Sequence, residues 1–213
     1  NLNNPALINK IKINYSTTEI VDINKIQTIK HDIVRETLRY LKINEPIEIT
    51  SMADLSAGTG LGSSSSYTVG LIRALNSIKK RYISIQDLAE EACKIEIELI
   101  GKPIGKQDQY AAAYGGIITL EINELGDVKV TPLRIHEETI HELENRLLMF
   151  YTGINRDANK ILEEQSQKAK IDETVTIKSM HRIKEIGREI KRSLENDKIT
   201  LFGKLMHEHW MEK

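Results

Sequence analysis

The sequence predicts an α+β protein built from two domains. Up to about residue 145, segments that alternate apolar and polar residues are interspersed with segments of helical period. From Asn155 onward, nearly all of the sequence has the period of helices. We therefore expect a mixed domain over residues 1–145 and a helix-rich domain over residues 146–213.

The chain opens with a strand, a helix and a second strand. Residues 10–15 (KIKINY) alternate as a half-buried strand does, and residues 28–41 carry apolar side chains at helical spacing. Residues 46–52 (PIEITSM) predict another strand. A glycine- and serine-rich stretch follows, and residues 66–78 then have helical period. The local order is therefore strand, glycine loop, helix.

A strong helix is predicted to begin at Ser84. Asp87 lies three residues further on, which is close to the capping-box pattern of a helix start. Gly101 and Pro103 are predicted to end this helix. Residues 106–114 (KQDQYAAAY) predict a further short helix.

Two strand patterns follow before the helix-rich part. Residues 117–135 read as a β-hairpin with its turn around Gly126 and Asp127. Residues 146–153 (RLLMFYTG) predict a buried strand.

Composition excludes several classes of function. The net charge is −1, from 30 basic and 31 acidic residues, so no charge surplus favours nucleic acid or an anionic membrane as a partner. No apolar run approaches the ~18 residues that a membrane span needs. The single cysteine, Cys93, cannot form an internal disulfide and is predicted to lie in the core. We expect a cytoplasmic protein.

Residues 54–66 (DLSAGTGLGSSSS) carry the strongest chemical signal. Three of the 12 glycines fall within five positions, and four serines follow them. Glycines allow a backbone to wrap a phosphate, and the start of a helix adds unpaired N–H groups and a positive dipole. A flexible linker has similar composition, but linkers rarely separate a strand from a helix within a domain, and Leu61 is a poor linker residue. The pattern favours a phosphate site.

This loop and a downstream segment resemble the GHMP kinases, the superfamily of galactokinase, homoserine kinase and mevalonate kinase. Residues 57–75 (AGTGLGSSSSYTVGLIRAL) resemble the family's Pro-x-x-x-Gly-Leu-Gly-Ser-Ser motif, although Ser56 stands where the family has proline. Residues 95–116 (IEIELIGKPIGKQDQYAAAYGG) resemble its glutamate-bearing helix and its Gly-x-x-Asp-Gln segment. These segments, with residues 89–97 and 150–158, are also similar to the bacterial D-glycero-D-manno-heptose 7-phosphate kinases.

The resemblance implies a two-domain fold, with a ribosomal-protein-like N-terminal domain and a ferredoxin-like C-terminal domain. It implies ATP as co-substrate, Mg²⁺ as cofactor, and a sugar, most simply a sugar phosphate, as acceptor. Two glycine-rich family motifs, one near each end, are absent from the sequence, so we expect it to be truncated at both ends. The sequence predicts no oligomeric state.

The resemblance also assigns roles to single residues. Ser64 and Glu96 match the magnesium ligands, and Asp108 matches the proposed general base, whose role as a true base or only as an orienting group stays open. Asp108, Gly105 and Arg156 are the implied substrate contacts, although Arg156 is equally well read as a surface arginine. The implied nucleotide-binding residues are Gly58, Thr59, Gly60, Leu61, Gly62, Ser63, Ser64 and Ser65.

Three functions remain open at this point. The first is a kinase for the anomeric hydroxyl of a heptose 7-phosphate, on the route to nucleotide-activated heptose for surface polysaccharide. The second is a kinase for an unphosphorylated sugar such as fucose or galactose. The third is a non-catalytic sensor of sugar and nucleotide, which has less need of Glu96 and Asp108.

Overall fold

The computed structural model describes residues 9–54, 58–151, 153 and 173–212. Their contacts divide the chain into two compact units, one of the described residues up to Gly115 and one of the described residues from Gly116 onward. The boundary near residue 145 that the sequence suggests stays a prediction. The mixture of helices and strands confirms the α+β class.

The first unit contains a three-stranded sheet. Its central strand β1 (Lys10–Asn14) pairs antiparallel with β2 (Thr18–Asp22) and parallel with β3 (Ile47–Thr50). Ile11 and Ile13 are fully buried on one face of β1, as the alternation in the sequence predicts. The strand β2 was not predicted, because it lies at the edge of the sheet and buries none of its residues fully.

Helices pack against one another and against the sheet to form the core of this unit. Each buried leucine or isoleucine stabilises the fold by roughly 1.5–3 kcal/mol. The core includes Leu38, Ile72, Leu75 and Leu88. The helical segments of the unit are a 3₁₀ segment (Ile23–Thr28), α1 (Asp32–Tyr40), α2 (Ser63–Ile78), α3 (Ile85–Cys93), a π-helical segment (Lys94–Leu99) and α4 (Gln107–Tyr114).

The predicted start of α3 is confirmed in atomic detail. The Asp87 backbone N–H donates to the Ser84 hydroxyl oxygen at 3.0 Å, which caps the helix. Cys93, in the last turn of α3, is 2% exposed, so its predicted place in the core is also confirmed.

The second unit begins with the predicted hairpin. Strand β4 (Ile118–Ile122) pairs antiparallel with β5 (Val128–Pro132), and Gly126 turns the chain with a φ of +83°. Three helices follow among its described residues: α5 (Glu137–Arg146), α6 (Glu173–Glu195) and α7 (Ile199–Glu212). Of the helices that the structure describes, none has the length and apolar character to cross a bilayer.

The predicted buried strand at residues 146–153 is wrong. Residues 147–150 form no strand, and Leu148 and Phe150 are 78% and 79% exposed. An apolar run indicates only that side chains favour burial, whereas a strand also needs a neighbouring strand for its backbone hydrogen bonds.

Candidate active site

The glycine loop ends at the N-terminus of α2. Gly58, Gly60 and Gly62 have φ values of +82°, +79° and +67°, a region that other residues rarely adopt. Gly62 is the N-cap residue, no side chain caps the helix, and Ser66 N donates to Gly62 O at 2.9 Å. The N–H groups of the preceding first-turn residues therefore have no acceptor within the helix. This end of α2 is suited to an anion.

The other predicted loop residues differ in accessibility. Thr59 and Leu61 separate the three glycines, and Leu61 is exposed. Ser63 is half-buried at the first position of α2. Ser65 is only 3% exposed, which leaves its hydroxyl little access to a ligand.

Ser64 and Glu96 meet, as the resemblance implies. The Ser64 hydroxyl donates a hydrogen bond to Glu96 Oε1. Glu96 is fully buried, and its second oxygen, Oε2, accepts from Gln109 Nε2 at 2.9 Å. The Lys102 ammonium lies 3.0 Å from Glu96 Oε1 and 3.2 Å from the Ser64 hydroxyl oxygen. A buried carboxylate needs such partners, since an unpaired charge is costly in the interior.

The π-helical segment brings Glu96 into this position. Its wider turn has Ile100 N donating to Ile95 O at 3.0 Å, and Ile95 and Glu96 are both fully buried. Glu98, two residues further on, is exposed. Glu91, one turn earlier, pairs instead with Arg81 at 3.2 Å. Of these three glutamates, only Glu96 joins Ser64.

The chain then turns back towards Glu96. Gly101 has a φ of +81°, and Lys102 N donates to the backbone oxygen of Glu96 at 3.0 Å. This turn returns the Lys102 side chain to the Glu96 carboxylate.

Asp108 faces the glycine loop from the first turn of α4. A Cβ atom built on Gly62 would lie 3.4 Å from both Cγ and Oδ2 of Asp108, so the carboxyl group sits against the backbone of the loop. Asp108 is exposed, and the N-terminus of α4 favours a negative charge there. Gly105 lies in the exposed loop just before α4.

The structure thus brings together Gly62, Ser64, Glu96 and Asp108, within one compact unit. Arg156 lies outside the described residues. Lys102 and Gln109 were missed by sequence reasoning. The available signals were Gly101 directly before Lys102 and the place of Gln109 as the glutamine of the Gly-x-x-Asp-Gln segment.

The donor set fits a magnesium ion. A carboxylate and a hydroxyl supply the oxygen ligands that Mg²⁺ prefers, and the Lys102 ammonium already places a positive charge beside both of them. Within the described ranges, no cluster of three or more His, Cys, Asp or Glu residues could hold a metal. A site of this kind would depend on phosphate oxygens for its remaining ligands.

Comparison with known proteins gives consistent matches. Residues 27–116 match the family described as GHMP kinases N terminal domain. The D-glycero-alpha-D-manno-heptose 7-phosphate kinase of Campylobacter jejuni is 33% identical over 161 residues, which are 76% of this chain and 47% of the relative. The bifunctional fucokinase/GDP-fucose pyrophosphorylase of Arabidopsis thaliana is 29% identical over 166 residues, 77% of this chain and 16% of that protein.

A solved structure shares the fold. The crystal structure of a D-glycero-D-manno-heptose 1-phosphate kinase from Bacteroides thetaiotaomicron has a TM-score of 0.75 at 25% identity. The match covers 96% of this chain and 63% of that one. The chain spans about half the length of the Campylobacter relative.

Proposed function

We propose that the protein is an ATP-dependent sugar kinase of the GHMP family, because residues 27–116 match the family described as GHMP kinases N terminal domain. The observation that carries the proposal is the hydrogen bond between Ser64, at the start of α2, and the fully buried Glu96. This pair lies in the same unit as Asp108, whose carboxyl group would lie 3.4 Å from a Cβ at Gly62 of the glycine loop. A phosphate site, a metal-ligand pair and a candidate base are the parts that phosphoryl transfer requires.

The proposed reaction uses these groups as follows. The glycine loop and the first turn of α2 bind the phosphates of ATP. Ser64 and Glu96 would hold Mg²⁺, which neutralises phosphate charge when bound. The acceptor hydroxyl oxygen forms a bond to the γ-phosphorus of ATP, the bond from that phosphorus to the β,γ-bridging oxygen breaks, and ADP leaves. Asp108 orients the hydroxyl and accepts its proton.

For the acceptor, we propose the anomeric hydroxyl of D-glycero-D-manno-heptose 7-phosphate. The similarity to the Campylobacter heptose 7-phosphate kinase supports this choice. Gly105 and Arg156 are the further proposed substrate contacts, and a guanidinium suits the substrate's own phosphate. The proposal includes the two-domain GHMP architecture, a cytoplasmic location, and a role in making nucleotide-activated heptose for surface polysaccharide.

A second candidate is a kinase for an unphosphorylated sugar. The similarity to the Arabidopsis bifunctional fucokinase favours it. In that case fucose or galactose would be the acceptor, and Arg156 would have no substrate phosphate to bind.

A coupled ADP-release assay on the protein from its complete reading frame tests the proposal. The acceptors are heptose 7-phosphate, fucose, galactose and none. Turnover with heptose 7-phosphate alone is expected. Turnover with a neutral sugar supports the second candidate, whereas nucleotide binding without turnover on any acceptor supports a sensor and contradicts the kinase.

A further inference from the structure

The Lys102 ammonium contacts both proposed metal ligands. Its ammonium donates to Glu96 Oε1 at 3.0 Å and to the Ser64 hydroxyl oxygen at 3.2 Å. The Lys102 side chain is 16% exposed and the Glu96 side chain is fully buried, so this is an ion pair with little access to water. No role for Lys102 follows from the sequence motifs.

An ammonium and a divalent cation compete for these two oxygens. Magnesium binds its oxygen ligands at about 2.0–2.1 Å, and two positive charges at such close range in a dry site repel each other strongly. Lys102 must therefore withdraw when a metal binds Ser64 and Glu96. When no metal is present, its ammonium is the cation that pairs with the buried Glu96 carboxylate.

The local structure allows this exchange without a backbone change. The Lys102 backbone is held by two hydrogen bonds, from Lys102 N to Glu96 O at 3.0 Å and from Ile104 N to Lys102 O at 2.9 Å. Its side chain is a flexible four-carbon stem that can swing while the backbone stays in place. The ammonium already contacts Ser64, at the end of α2 where phosphates are proposed to bind.

We propose that the Lys102 ammonium competes with the divalent cation for the oxygens of Glu96 and Ser64. A metal ion that arrives alone must displace the ammonium and offers it no new partner. A metal ion that arrives with a nucleotide brings phosphate oxygens that can accept the displaced ammonium. The site therefore binds the metal–nucleotide complex in preference to the free metal. This inference rests on the proposed function.

Binding of Mn²⁺ without nucleotide, measured by electron paramagnetic resonance on the full chain, tests the competition. Lys102→Gln removes the competing charge and is expected to tighten Mn²⁺ binding by at least about tenfold. Lys102→Arg keeps the charge and is expected to bind Mn²⁺ as weakly as the wild type. The matched control is Lys12→Gln, since Lys12 pairs with Glu48 at 2.8 Å in the sheet of the same unit. It is expected to leave Mn²⁺ affinity unchanged.

Equal or weaker Mn²⁺ binding by Lys102→Gln overturns the competition. The single variant Glu96→Gln separates this failure from a failure of the proposed function. Weaker Mn²⁺ binding by Glu96→Gln than by the wild type places the metal at Glu96, whereas unchanged Mn²⁺ binding places the metal elsewhere and contradicts the proposed site itself.

If Lys102→Gln does not fold, the wild-type protein supplies the test. The ¹⁵N signal of the Lys102 ammonium, assigned by its absence in Lys102→Arg, is followed by NMR. The signal is expected to shift on addition of Mg²⁺ with ADP and to shift little with Mg²⁺ alone at the same concentration. An unchanged signal with Mg²⁺ and ADP bound overturns the proposal.

Discussion

At the scale of single residues, Asp108 combines exposure to a ligand with a fixed position. It is accessible to a ligand, and its carboxyl group lies against the backbone of Gly62. We expect Asp108→Asn to lower kcat by roughly 10²- to 10⁴-fold, because the amide cannot accept the proton of the acceptor hydroxyl. Steady-state kinetics with the preferred sugar measure this.

The matched control is Asp87→Asn, an aspartate in the first turn of α3 as Asp108 is in the first turn of α4. It is expected to leave kcat within about twofold of the wild type. The backbone N–H of residue 87 can still donate to the Ser84 hydroxyl oxygen, so the start of α3 is preserved. If Asp108→Asn has the kcat of the wild type, Asp108 does not act as a base and only orients the acceptor hydroxyl.

Cys93 illustrates how burial controls reactivity. Burial, with a smaller contribution from the charge of Glu90, raises the pKa of the Cys93 thiol to about 12. The thiolate is the reactive form, so we expect no reaction of the native protein with a thiol reagent at pH 8 and full reaction after denaturation. Rapid labelling of the native protein would contradict its burial in α3.

The raised pKa of Cys93 also predicts that the protein loses stability at alkaline pH. The folded-state pKa lies above that of the unfolded thiol, so this contribution to the free energy of unfolding is fully present below about pH 8.5. It is lost as the pH rises from there towards about 12, the folded-state pKa. Chemical denaturation at a series of pH values measures the loss, and Cys93→Ala is the control that should lack it.

At the scale of elements, the glycine loop and the start of α2 form one unit of local structure. Gly60 and Gly62 both have positive φ, but only at Gly62 would a Cβ meet another side chain, Asp108. We expect Gly60→Ala and Gly62→Ala each to lower the free energy of unfolding by about 1–2 kcal/mol through backbone strain. Urea denaturation measures this loss.

Catalysis should distinguish the two glycines. Gly62→Ala strains the backbone directly beside the Asp108 carboxyl group, which the new Cβ would touch at 3.4 Å, and is expected to lower kcat roughly 10- to 100-fold further than Gly60→Ala, its matched control. Equal kinetic effects in the two variants would show that the contact between Gly62 and Asp108 is not needed for turnover.

Prediction of the elements from sequence succeeded where the signal is local. The alternation in β1, the Ser84 cap of α3 and the Gly126 turn of the hairpin each depend on a few neighbouring residues. The helix α5 was missed because it is strongly polar and only Thr139 is buried. The apolar residues 147–150 were misread because strand formation depends on a partner strand that the sequence cannot specify locally.

At the scale of the whole molecule, the resemblance to family motifs predicted more of the site than the hydrophobic periodicity of the sequence did. The glycine loop, Ser64, Glu96 and Asp108 come from three separated segments, and the resemblance to a family related them before their contacts were known. Lys102 lies outside the motifs, and the motif that contains Gln109 did not indicate its contact with Glu96. Their contacts with Glu96 depend on the π-helical segment and on the turn at Gly101. The directions of side chains in such irregular segments cannot be inferred from hydrophobic periodicity.

The most direct test of the account is the affinity for Mg²⁺ with a non-hydrolysable ATP analogue, measured by calorimetry. Glu96→Gln keeps the size of the buried side chain but removes the charge that would hold the metal. Glu98→Gln is the matched control, an exposed glutamate of the same π-helical segment. We predict that Glu96→Gln weakens binding roughly 10- to 100-fold or more, and that Glu98→Gln binds as the wild type does. Equal affinities of the two variants would contradict a metal–nucleotide site at Ser64 and Glu96.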